Sequence, residues 1–145
     1  IAANRNNYKT CLTELENAPG VQLVEYDESE KNNFQYLILE IDEKRFGLSR
    51  DLLIEILHAE NIRARKYFYP GIHRMEPYRT YYPNTNLLLP ETEAVAARVV
   101  CLPNGTSVKS ADMEKICSLL RFLSENSDEI RTKTEGKPVK EHLKS

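Results

Sequence analysis

The sequence predicts an α/β domain of the α+β kind, with a small, mainly antiparallel sheet of about four strands flanked by helices. Its apolar residues switch from helical spacing to strand-like runs and back in the order α-β-β-α-β-(α)-β-α. The strand-like runs are joined largely by short turn segments rich in Pro, Gly and Asn. With 145 residues and 41% hydrophobic content, the chain has the length of one domain and the material for a core.

Residues 4–17 place Tyr8, Cys11, Leu12 and Leu15 at i, i+3, i+4 and i+7, one helical stripe that Pro19-Gly20 ends. Val21 to Tyr26 reads as a short strand, and residues 27–33 (DESEKNN) as a polar, hairpin-like connection. In the strand from Phe34 to Ile41, Leu37, Leu39 and Ile41 face one way and Phe34, Tyr36 and Ile38 the other. Apolar residues on both faces mark a central strand. Ser49 is placed to cap a second helix, and Asp51 suits its first turn. Leu52, Leu53, Ile56 and Leu57 form that helix's buried face, and Asn61 supplies a left-handed stop. Ile62 to Phe68 is a strand, in which Phe68 is expected in the core, and residues 70–89 are irregular. Pro90 opens a short helix to Ala97, with Glu91 and Glu93 as first-turn acids. Arg98 to Leu102 is the last strand, closed by the turn Pro103-Asn104-Gly105. Ser110 caps a final helix with the stripe Met113, Ile116, Cys117, Leu120 and Leu123. The domain spans residues 1–129, and residues 130–145 read as a polar, disordered tail.

Composition excludes several classes of function. A net charge of −2 does not suit a polyanion binder, so any cation cluster is local. No apolar run reaches membrane-spanning length. Cys11, Cys101 and Cys117 each sit in an apolar pattern, which fits buried thiols and a reducing, cytoplasmic setting. His58, His73 and His142 are dispersed, without CxxC, HxxxH or HExxH, so no metal site is expected. Nucleophile-elbow, GxGxxG and Walker patterns are also missing. Asn104-Gly-Thr106 matches a glycosylation sequon but reads as a turn.

One stretch stands out. Arg63 to Tyr82, RARKYFYPGIHRMEPYRTYY, holds five of the eight tyrosines, five of the twenty Lys and Arg residues, and His73. Hydroxyls, planar cations and an imidazole on a Pro- and Gly-broken loop suit a ligand that is anionic and hydroxylated, such as a phosphate, sugar or nucleotide. Arg63 and Arg65 share one face of a strand by its period of two.

Four segments taken together resemble the C-terminal part of the DegT/DnrJ/EryC1/StrS sugar aminotransferases. They are GLSRDLLIEILHAENI (47–62), RARKYFYPGIHRMEPYR (63–79), LLLPETEAVAARVVCLPNG (87–105) and the helix from Ser110, and the likeness covers roughly residues 4–126. The resemblance implies the C-terminal domain of a fold type I, pyridoxal-phosphate-dependent enzyme. Such an enzyme moves an amino group from an amino acid to a keto group on a nucleotide-linked sugar, for surface polysaccharides or related products. It also implies a homodimer, and a large domain supplying the cofactor lysine, to which nothing here corresponds. The chain therefore reads as a fragment, inactive alone and without bound cofactor. His73 and Tyr78, at the family's "H…PY" positions, are expected near the substrate or cofactor cleft, followed by Tyr69 and Arg65. A stand-alone nucleic-acid or protein binding module is the alternative reading, although the net charge disfavours nucleic acid.

Overall fold

The computed structural model describes residues 1–134. Helix α1 (Ala2–Glu14) leads through a turn at Pro19-Gly20 into β1 (Val21–Leu23) and then β2 (Leu37–Ile41). Next come α2 (Glu43–Phe46), α3 (Arg50–Ala59) and β3 (Arg65–Lys66). A 3-10 turn (Ile72–Arg74), α4 (Tyr78–Tyr81) and α5 (Thr85–Leu88) precede α6 (Pro90–Arg98). Strand β4 (Val99–Leu102), α7 (Ser110–Glu125) and α8 (Ser127–Thr134) complete the described chain.

The four strands form one sheet in the order β1-β2-β4-β3, and every neighbouring pair is antiparallel. β2 is internal, as its two apolar faces require. Leu37, Leu39, Ile41, Val100 and Leu102 enter one core with Tyr8 and Cys11 of α1, Leu53 and Leu57 of α3, and Met113, Cys117 and Leu120 of α7. Each fully buried leucine contributes about 1.5–3 kcal/mol relative to an exposed one. All three cysteines are buried and unpaired.

Local chemistry fixes the element ends. Ser49 Oγ accepts from the Leu52 N–H at 3.2 Å, and Asn61 turns left-handed at φ 59° after α3. Ser110 does not cap α7: the Asp112 carboxylate accepts the Lys109 N–H at 3.1 Å, and the Ser110 hydroxyl instead meets Asn6. The Asn104 side chain accepts from Asn7 Nδ2 at 3.0 Å and donates to Phe34 O at 2.7 Å, so it serves as a turn strut. Gly20 sits at φ 70°, where a β-carbon would lie 2.2 Å from Phe46 N.

Several expectations are corrected. The ladder between the first two strands is shorter than expected, because the Tyr26 hydroxyl takes over. It donates to Tyr36 O at 2.8 Å and accepts from the Tyr36 N–H at 3.1 Å. Phe34, at φ 52°, turns into the core beside Tyr8 instead of sharing a face with Tyr36 and Ile38. The strand expected over 62–68 pairs only at Arg65 and Lys66, and Phe68, at φ 45°, is 70% exposed and outside the core. Residues 70–89 contain α4 and α5, single turns that no apolar period announces. Residues 127–134 are helical, with Arg131–Asp128 and Lys133–Glu129 pairs one turn apart. The rest of the expected tail, and His142 within it, lies outside the described residues.

Candidate functional site

The segment after β3 folds back over the place where the start of α3 meets α6. Arg50, the first residue of α3, organises this junction. Its side chain is 5% exposed. Nη1 donates to Ala96 O at 2.8 Å and Val99 O at 3.0 Å, which ties down the end of α6, and Nε donates to Asp51 Oδ1 at 2.5 Å. The Arg50 guanidinium carbon lies 5.3 Å from the Tyr69 ring centre, and Lys66 Nζ lies 4.6 Å from it. Lys66 also donates to Asp51 Oδ2 at 2.9 Å. Partial burial pushes the Asp51 carboxyl up, but the hydrogen bonds and charges of Lys66 and Arg50 outweigh it and hold the group below the usual carboxylate range.

A second anchor fixes the turn beyond Tyr69. His73 Nε2 donates to Glu93 Oε1 at 2.5 Å, and Arg74 grips the same carboxylate through Nε at 2.6 Å and Nη2 at 2.5 Å. Arg74 first, and His73 second, pull the Glu93 carboxyl down to about 2. The His73 side chain is 9% exposed. It seats against Gly71, where a β-carbon would lie 2.6 Å from the imidazole Cε1 and 2.8 Å from Nδ1.

Between these anchors lies a cleft of about 370 Å³, lined by Arg50, Asp51, Tyr69, Gly71, His73 and Glu93 among others. His73 and Tyr69 are thus brought together. Tyr78, at the start of α4, is 49% exposed and does not line the cleft. Arg65 is paired in register with Cys101, away from the cleft. His58, on α3, hydrogen-bonds Ala64 O at 2.7 Å and closes the α3–β3 connection.

Arg50, Gly71 and Glu93 escape a reading of the sequence by type alone. Glu93 reads as a first-turn acid and occupies that position, yet it also holds two residues about twenty positions earlier. Its signal is the family-like segment LLLPETEAVAARVVCLPNG (87–105), as GLSRDLLIEILHAENI (47–62) is for Arg50. The cations in the cleft and beside it are already matched with carboxylates: Arg74 with Glu93, and Arg50 and the neighbouring Lys66 with Asp51. The cleft therefore suits neutral hydroxyl or amino groups better than a phosphate. Among the described residues, no group of three or more His, Cys, Asp and Glu could hold a metal ion, and no helix is long and apolar enough to cross a membrane.

The sequence model of the DegT/DnrJ/EryC1/StrS aminotransferase family matches residues 1–121. The chain belongs to this family. It is 36% identical over 106 residues to a dTDP-4-amino-4,6-dideoxy-D-glucose transaminase of Escherichia coli, an alignment covering 73% of this chain and 28% of that protein. Its fold superposes on DesI, solved in the presence of its TDP-sugar product, with a TM-score of 0.81 and 39% identity, over 92% of this chain and 33% of DesI. Helicobacter pylori PseC, an aminotransferase involved in the biosynthesis of pseudoaminic acid, shares the fold at a TM-score of 0.74 and 16% identity, over 86% of this chain and 33% of PseC. The chain thus spans about a third of the length of these relatives. Nothing in the fold or the comparisons supports a nucleic-acid binding module.

The family depends on pyridoxal phosphate. The residues of this cleft do not fit that group by themselves. No lysine lines the cleft, and Lys66, beside it, has its ammonium committed to Asp51 and Tyr69. The cleft's cations are likewise already paired, which leaves no site for the cofactor's phosphate.

Proposed function

We propose that this chain is the C-terminal domain of a pyridoxal-phosphate-dependent aminotransferase that acts on a nucleotide-linked keto sugar with an amino acid donor. The observation that carries the reading is the family match over residues 1–121, together with the 36% identity to a dTDP-sugar transaminase. In this reading the larger remainder of the enzyme supplies the cofactor lysine and phosphate site. This chain supplies one wall of the substrate cleft. His73, fixed by Glu93, and Tyr69, fixed by Arg50 and Lys66, line that wall and contact the sugar. The assembled enzyme is a cytoplasmic homodimer serving cell-surface polysaccharide or related sugar biosynthesis. Three buried, unpaired thiols support the reducing compartment.

Two measurements test the reading. The chain mixed with pyridoxal phosphate should give no protein-bound cofactor absorption and no amino transfer from glutamate to a dTDP-linked 4-keto sugar. A chimera carrying this chain in place of the matching third of the E. coli transaminase should transaminate that sugar. Turnover by the isolated chain, or a folded, cofactor-loaded chimera without turnover, would overturn the proposal.

A further inference from the structure

Two of the three thiols share one place. Cys11 on α1 and Cys117 on α7 are both fully buried in the core, where these two helices pack against each other. Their side chains hydrogen-bond each other. Cys101 stands apart. It pairs in register with Ile38, next to Val100, so the alternation of β4 turns it to the sheet face opposite the core. Its thiol donates instead to Leu102 O at 3.5 Å. The two core thiols therefore have each other as sulfur partner, and neither lines the cleft.

While α1 is seated, the pair is inert. The bond to Cys117 first, and burial second, push the Cys11 thiol up, so little of the nucleophilic thiolate exists there. Burial also keeps a bulky oxidant from both sulfurs. The seat of α1 is weak, however. Its sequence AANRNNYKTCLTE carries three Asn and two Thr, which are poor helix formers. Ile1 at its N-cap offers no side-chain acceptor, and the helix has no acid in its first turn and no base in its last. A helix of 13 residues with these defects is marginal alone, so tertiary contacts hold it. Tyr8 and Cys11 supply the apolar part, and Asn7 Nδ2 donates to Asn104 Oδ1 at 3.0 Å and to Val108 O at 2.9 Å. An element held in this way opens locally at less cost than the whole domain. α7 is the fixed partner, with 16 residues and the buried stripe Met113, Ile116, Cys117, Leu120 and Leu123.

We infer that Cys11 and Cys117 form a reversible disulfide that locks α1 onto α7 under oxidising conditions, with local lifting of α1 as the gate. When α1 lifts, the thiolate of one cysteine attacks oxidised glutathione. A glutathione thiolate leaves, and the protein sulfur carries a mixed disulfide. When α1 reseats, the second protein thiolate displaces the remaining glutathione and the protein disulfide forms. The two thiol protons end on the two glutathiones released, so the chain loses two hydrogens and one glutathione disulfide is reduced. Reduced glutathione runs the same exchange backwards, which makes the link transient in a reducing compartment. The inference stands independently of the aminotransferase reading.

The test is to incubate the folded chain with oxidised glutathione, as wild type, Cys101→Ala and Cys11→Ala, and to follow it by intact mass and peptide mapping. Maps of the wild type and of Cys101→Ala should join Cys11 to Cys117, and Cys101→Ala should end two hydrogens lighter. Cys11→Ala should stop with glutathione on Cys117. The oxidised chain should unfold at higher urea than the reduced one, and dithiothreitol should reverse that shift. Urea below the unfolding transition should raise the oxidation rate far less steeply than it raises the unfolded fraction, because lifting one helix exposes less surface than unfolding the domain. Glutathione persisting on both core cysteines, a link to Cys101, or no reaction while circular dichroism shows the chain folded would each overturn the lock. An oxidation rate that follows the unfolded fraction would overturn the gate.

Discussion

Replacing Arg50 by Met keeps the length of the aliphatic stem and removes the guanidinium. Two carbonyls, Ala96 O and Val99 O, then lose the donor that meets them at 2.8 and 3.0 Å. A buried carbonyl left without a partner costs about 1–3 kcal/mol, and two of them are affected. Asp51 keeps Lys66, so its carboxylate is not stranded. The expected loss is therefore about 4 kcal/mol, a fall in Tm on the order of 10 °C for a chain of this size. Urea unfolding followed by circular dichroism would measure it, with the m-value unchanged if both states keep their compactness. Arg50→Lys should recover part of the loss, since an ammonium can reach one carbonyl but not both in the guanidinium's geometry. A loss below about 1 kcal/mol in Arg50→Met would refute the reasoning, because water would then be satisfying both carbonyls.

Three further outcomes are expected. In Gly71→Ala the new methyl would overlap the His73 ring, so the imidazole should leave Glu93 while Arg74 stays; unchanged His73 ring shifts in NMR would contradict this. Glu93, held near 2 when folded, contributes stability that is fully present above its ordinary value near 4.5 and lost as pH falls from there toward 2. Acid titration of Glu93→Ala should accordingly flatten the stability curve in that window and leave its slope above pH 5 unchanged. Asn61→Ala should lose about 1 kcal/mol at the left-handed end of α3, and Asn61→Gly should match or exceed the wild type, both measured by thermal unfolding.

The scaffold was largely legible because its cues are local. Leu37, Leu39 and Ile41 alternate, Leu53 and Leu57 stand one helical turn apart, and Ser49 precedes them with its cap. Phe34 and Phe68 were misassigned because a single left-handed residue reverses which face the next side chains take, and no composition signal marks a phenylalanine for that conformation. The cleft was half legible. His73 and Tyr69 were read from their loop, but Glu93 and Arg50 act across 20 and 46 residues, on His73 and Ala96 respectively, and only the tertiary fold shows that reach. The loop's richness in cations pointed to an anion site, and it took the ion pairs to show which cations are already neutralised.

Gly20 sets a different kind of limit. β1 has only three residues and one neighbour, so its ladder alone holds it weakly. The approach of Gly20 to the backbone of Phe46, with Gly20 O accepting from the Asp42 N–H at 2.9 Å, pins the strand from its end. Because the obstruction is main chain and not a side chain that could swing away, position 20 admits no compensating second mutation nearby. Gly105 also has a positive φ but has nothing within 4 Å of its would-be β-carbon, so only its backbone angle restricts it. In a saturation library the first should appear as a position closed by both space and backbone angle, and the second as one where every substitution meets the backbone strain of φ 129° but no steric clash.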